Sequence, residues 1–141
     1  MNKTNTRKAL NPAYRKHKPL RKDVNTFVEE LKKCLQEVKI SDDNGESEEH
    51  IKSHFIQFFN NTFYAENYIN TKDRIDLAIY TGKTAKSDVS VIIEAKKPSN
   101  KAEFLTETNL NRKALQELLL YYLRERVDNQ NNNIKHLIAT N

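Results

Sequence analysis

The chain reads as an α/β domain, a mixed sheet flanked by helices in the order α-α-β-β-β-α-β. Three observations predict it. Apolar residues recur at helical spacing through Val24, Phe27, Val28, Leu31, Cys34, Leu35 and Val38. Ile75, Leu77 and Ile79 alternate with Asp76, Ala78 and Tyr80, the two-residue period of a half-buried strand. The run from Val89 to Ile93 is apolar on both faces, as a central strand should be.

The elements follow in order. The first helix, Val24–Val38, has Asp23 as its expected N-cap. A polar break at Ser41–Ser47 contains the turn signal Asn44-Gly45. A second helix is expected from Ser47, with Ile51, Phe55, Phe58 and Phe59 turned inward and Glu48 and Glu49 in its first turn. A short strand at Tyr68–Asn70 precedes the alternating strand Ile75–Tyr80. Thr81–Asp88 is a loop, and the strand Val89–Ala95 stops before Pro98. A loop through Asn100–Asn109 leads to a helix over Asn111–Val127, with Ala114, Leu115, Leu118, Leu119 and Tyr122 on its buried face. Asn129–Asn133 is a turn, and Ile134–Thr140 a closing strand. Strand, helix, strand implies a right-handed crossover and a parallel pair. A strand pattern reaching the final residues suggests a fragment of a longer polypeptide.

At 141 residues, 37% of them hydrophobic and 30% charged, the chain suits one soluble domain with a real core. No apolar run approaches the ~18–20 residues of a membrane span, so no membrane partner is expected. A single cysteine, Cys34, excludes an internal disulfide and fits a reducing cytoplasm. The net charge of +5 is unevenly placed: residues 1–22 hold eight basic side chains and no acid. This basic leader offers sequence-independent phosphate affinity, or serves as a solubilising tail. The body, residues 23–141, is slightly acidic.

The chemistry-bearing residues are Asp76 and, eighteen positions on, the triplet Glu94-Ala95-Lys96. Glu-x-Lys also occurs at Glu30-Leu-Lys32 and Glu37-Val-Lys39, but there inside an amphipathic helix, on a solvated face. Only the third copy ends a strand and has an acid on the preceding one. Glu94 and Lys96 share a strand face about 6–7 Å apart. With Asp76 beside them, two carboxylates and a lysine would meet. Hard Mg²⁺ takes such oxygen ligands, with the Ala95 carbonyl as a third donor. Lys96 would orient or deprotonate a water, or hold a phosphate. The plain alternative is a strand-edge aspartate and a surface ion pair. His50 and His54 stand one helical turn apart, the spacing of a zinc pair, but with no third ligand they read as ordinary helix residues.

At these residues the chain resembles the PD-(D/E)xK nuclease superfamily. Asp76 matches its strand aspartate and Glu94-Ala95-Lys96 its (D/E)xK triplet, with Ile75 where proline is usual, a departure the superfamily commonly tolerates. The resemblance implies a restriction-endonuclease-like αβββαβ core. The segments NPAYRKHKPLR, INTKDRIDLAIYTGKTAKSDVSVIIEAKKPSNKAE, ALQELLLYYLRER and IKHLIATN, in that order, are similar to the N-terminal nuclease domain of type IIG restriction enzymes. That implies an Mg²⁺-dependent type II deoxyribonuclease acting on double-stranded DNA in the bacterial cytoplasm. Methyltransferase and target-recognition domains would lie downstream, and S-adenosylmethionine would belong only there. Whether two copies dimerise on DNA stays open. By the same resemblance Glu49 is a metal-assisting helix acid, with Glu48 its rival. Gln116, followed by Tyr121, resembles a Gln-x-x-x-Tyr motif with one extra residue. Lys72, Lys97 and Lys101 would add DNA contacts. The competing reading is a catalytically silent DNA-binding or interaction module on the same fold.

Overall fold

The computed structural model describes residues 4–72 and 75–141; Lys3 of the basic leader and Arg74 lie outside the described residues. Two short helices, α1 (Thr6–Ala9) and α2 (Pro12–Lys16), precede a long one, α3 (Arg21–Asp43). Then come α4 (Glu48–Asn60), β1 (Ile69–Lys72), β2 (Ile75–Tyr80), β3 (Val89–Ala95), α5 (Lys113–Val127) and β4 (His136–Thr140). The expected α/β architecture is present: a four-stranded mixed sheet, ordered β1-β2-β3-β4, with helices on both faces. β1–β2 and β2–β3 are antiparallel. β3–β4 is parallel, joined through α5.

Each face has its own apolar core. Leu77, Ile79, Val91, Ile93 and Ala95 pack against Cys34, Val38, Ile51, Phe55 and Phe58 of α3 and α4. Ala78, Tyr80, Val89 and Ile92 pack against Leu118 and Tyr121 of α5. A register shift between Ile79 and Tyr80 brings Val89 onto the same side as Ile92. Both faces of β3 are thereby buried, which is why its sequence shows no alternation.

Several helix boundaries differ from expectation. α3 starts at Arg21 with Leu20, not Asp23, at the N-cap; Asp23 sits in the first turn, where an acid favours the helix dipole. It also runs through Ser41-Asp42-Asp43, read from sequence as a break. Ser41 is buried there, its hydroxyl 3.0 Å from His54 Nε2, and Lys39 pairs with Asp43 at 2.6 Å. Gly45, at φ 72°, ends the helix in the left-handed region. On α5 the buried positions are Ala114, Leu118, Tyr121 and Glu125, while Leu119 is exposed and Leu115 and Tyr122 half-buried. Leu and Tyr surround this helix on every side, so periodicity alone could not choose the face. Glu125 is buried because Lys72 and the side chains of Asn129 and Asn131 all donate to its carboxylate. Among the described residues, no helix is long and apolar enough to cross a membrane.

Candidate active site

Asp76 opens β2 and Glu94 nearly closes β3. Leu77 pairs with Ile93 in that antiparallel ladder, so one more step of the register sets Asp76 opposite Glu94. The two acids meet because of this register. Asp76 Oδ2 accepts a hydrogen bond from the Ala95 amide (3.1 Å), tying the aspartate to the triplet itself. Asp76 Oδ1 lies 2.7 Å from Lys52 Nζ of α4.

The exit of β3 is held at three successive points. The Lys96 amide donates to the Thr140 carbonyl of β4 (2.9 Å). The Lys97 amide lies 3.5 Å from Glu48 Oε1, and the Ser99 hydroxyl donates to Asp42 Oδ1 (2.6 Å). A strand end fixed in this way gives Lys96 little freedom.

Lys96 turns inward. Its Nζ lies 2.5 Å from Glu94 Oε1 and 2.9 Å from Glu117 Oε2, and its side chain is only 5% exposed. Glu94 is buried, and its second oxygen, Oε2, has no hydrogen-bond partner. Three carboxylates, Asp76, Glu94 and Glu117, therefore share two lysines. Burial pushes the Glu94 carboxyl up to about 8, reinforced by Glu117 and Asp76 and opposed by Lys96. Burial works against the Lys96 ammonium too, but bonds to Glu94 and Glu117 outweigh it and hold its pKa above the ordinary lysine range. The Tyr121 phenol is raised by burial and by the same three acids, which places it in their field.

The sequence-predicted residues divide accordingly. Asp76, Glu94 and Lys96 come together, with the Ala95 backbone between them. Glu49 reaches the site only through Lys52, whose Nζ lies 3.1 Å from Glu49 Oε2, and its side chain is 69% exposed. Glu48 leans instead toward the Lys97 amide. Gln116 does not belong to the site: it is exposed and its amide donates to Asn111 Oδ1 (2.9 Å). Its neighbour Glu117 points inward, because it shares a helix face with Tyr121 one turn on. Lys72 lies 2.5 Å from Glu125 Oε1, in an ion pair away from the carboxylate cluster. Lys97 is half-buried and Lys101 exposed. Sequence reasoning missed Glu117 and Lys52; for Glu117 the signal was Glu117-x-x-x-Tyr121, four residues apart where Gln116 was five.

No curated protein and no solved structure matches the chain. The model of one family, described as a domain of unknown function (DUF7149), matches residues 4–141. The chain belongs to that family.

Proposed function

We propose that this domain is an Mg²⁺-dependent DNA endonuclease, the cleavage part of a type IIG enzyme whose methylation and target-recognition parts lie in neighbouring sequence. The observation that carries the reading is the convergence of Asp76, Glu94 and Lys96, with Glu94 Oε2 buried and unpartnered. A carboxylate oxygen left bare in a buried site is costly unless a proton or a cation completes it, and the raised Glu94 carboxyl carries that cost. The donor set, two carboxylates and a backbone carbonyl, suits a hard divalent ion.

Asp76 and Glu94 would hold Mg²⁺, with the Ala95 carbonyl as a further oxygen. When bound, the ion supplies charge neutralisation at the phosphate and a water of lowered pKa. The chain's own groups do the rest. Lys52 has a second carboxylate, Glu49, to hold it when Asp76 turns to a cation. Lys96, kept as ammonium by its two acids, acts as a donor to water or phosphate and not as a base. Glu117 fixes Lys96 from the opposite side. The exposed Arg7, Lys8, Arg15, Lys16 and Lys18 of the leader, with Lys97 and Lys101, supply phosphate contacts.

Supercoiled plasmid tests the reading. The wild-type chain is expected to nick it with Mg²⁺ and not with EDTA. Asp76→Ala and Lys96→Ala should each lose at least about 100-fold in rate. Retarded DNA mobility with no cleavage by any version in Mg²⁺ or Mn²⁺ would instead establish the silent binding module.

A further inference from the structure

A second cluster lies on the other side of α4, away from Lys52. Glu46, in the turn before the helix, and His50 and His54, on its first two turns, each offer one ligand atom, all within 4.8 Å of one another. From these residues we infer a zinc site, Glu46-His50-His54, that clamps the α3–α4 turn and is separate from the carboxylate centre.

Three observations carry it. His50 and His54 stand one turn apart on one side of α4, and the turn before the helix brings Glu46 up beside them. Glu46 Oε2 is buried and has no hydrogen-bond partner, although His50 Nε2 is only 2.8 Å away. The two atoms thus stand close together without an aligned hydrogen bond, an arrangement that a cation between them would satisfy. Finally, His54 is already oriented from behind. Its Nδ1 lies 3.3 Å from Glu37 Oε2, an acceptor that favours the proton on that nitrogen. Nε2 is then left as the lone-pair side, now 3.0 Å from the Ser41 hydroxyl. A carboxylate behind a histidine is the usual outer support of a zinc ligand.

Two imidazoles and one carboxylate are a zinc donor set, with the fourth position open to water. Tetrahedral bonds of about 2.0–2.2 Å need ligand atoms roughly 3.3–3.6 Å apart. Rotation of the exposed His50 side chain closes the remaining gap. The sequence reading lacked a third ligand because Glu46 lies outside the helix, in what looked like a featureless acidic turn.

For the full chain, stripped with chelator, the visible d–d absorption of a tetrahedral Co²⁺ site should saturate at one equivalent, and Zn²⁺ should abolish that signal. Glu46→Gln at a half-buried position and His50→Gln at an exposed one should weaken the tetrahedral-site binding of Zn²⁺ about 10- to 100-fold with unchanged circular dichroism. Asp76→Asn should leave it intact. The site is refuted if the d–d bands are absent, if binding survives in both ligand variants, or if it disappears with Asp76→Asn.

Discussion

Lys96 Nζ lies 2.9 Å from Glu117 Oε2, joining the end of β3 to the second turn of α5. The ammonium is held between two acids from different elements, so helix and sheet cannot shift without moving it. Glu117 also raises the pKa of Glu94, and thereby influences when the buried acid ionises.

Glu117→Gln keeps an acceptor for Lys96 and removes one negative charge. The expected result is a fall in Mg²⁺-dependent nicking of about 10-fold. The acid limb of the rate–pH profile should move to lower pH, since Glu94 then ionises more easily. A profile measured at limiting Mg²⁺ checks both; an unchanged limb would show that Glu117 does not couple to Glu94.

Lys96→Met tests the pair itself. Removing one partner of a buried ion pair costs up to about 3–5 kcal/mol, less where the remaining acid takes a proton instead of staying charged and unpaired. Urea unfolding at pH 8 should show that loss, and Glu94→Gln added to Lys96→Met should recover much of it. Additive losses in the double variant would mean the two side chains do not depend on each other.

The parts of this site legible in the sequence were those set by strand geometry. β2 and β3 have the residue bounds that alternation and the apolar run gave, while the register shift between Ile79 and Tyr80 was not legible there. What escaped came from other elements. Lys52 reaches Asp76 from α4, and nothing local in its sequence marks it. Glu117 was passed over for Gln116 because α5 is apolar nearly all round, and a one-residue error on a helix turns a side chain by about 100°. Lys72 looked free because its partner, Glu125, stands 53 residues away.

Cys34 should behave as a core residue and not as a reactive thiol. Burial pushes it up to about 11, with Glu37 and Glu30 adding in the same direction. Relative to its ordinary value of 9.0, the thiolate is about 100-fold scarcer at neutral pH. Ellman's reagent should label the native chain slowly and the urea-unfolded chain fast. Equal rates would contradict the packing of α3 on α4.

Glu94 also imposes a pH dependence on stability, and its sign follows from burial. Folded, its carboxyl titrates at about 8, against an ordinary value of 4.5. Below 4.5 both states carry the proton, and the group is neutral in effect. Between 4.5 and 8 the unfolded chain has lost a proton that the folded chain keeps, so stability falls as pH rises. The slope from one proton is at most about 1.4 kcal/mol per pH unit, and above 8 the full cost remains. Glu125 acts oppositely and elsewhere: despite burial, Lys72, Asn131 and Asn129 hold it below the usual range, so its contribution fades only in acid. Lys96, raised by its acids, begins to matter only near its ordinary value of 10.5. The window from pH 5 to 8 thus isolates Glu94 from these two groups. Thermal midpoints of the wild-type chain should drop across it, while Glu94→Gln should remove that component. Added Mg²⁺ at pH 8 should raise the midpoint of the wild type only, since only its ionised carboxylate can take the cation. Parallel curves for the two chains would show that Glu94 is no more reluctant to ionise in the fold than out of it.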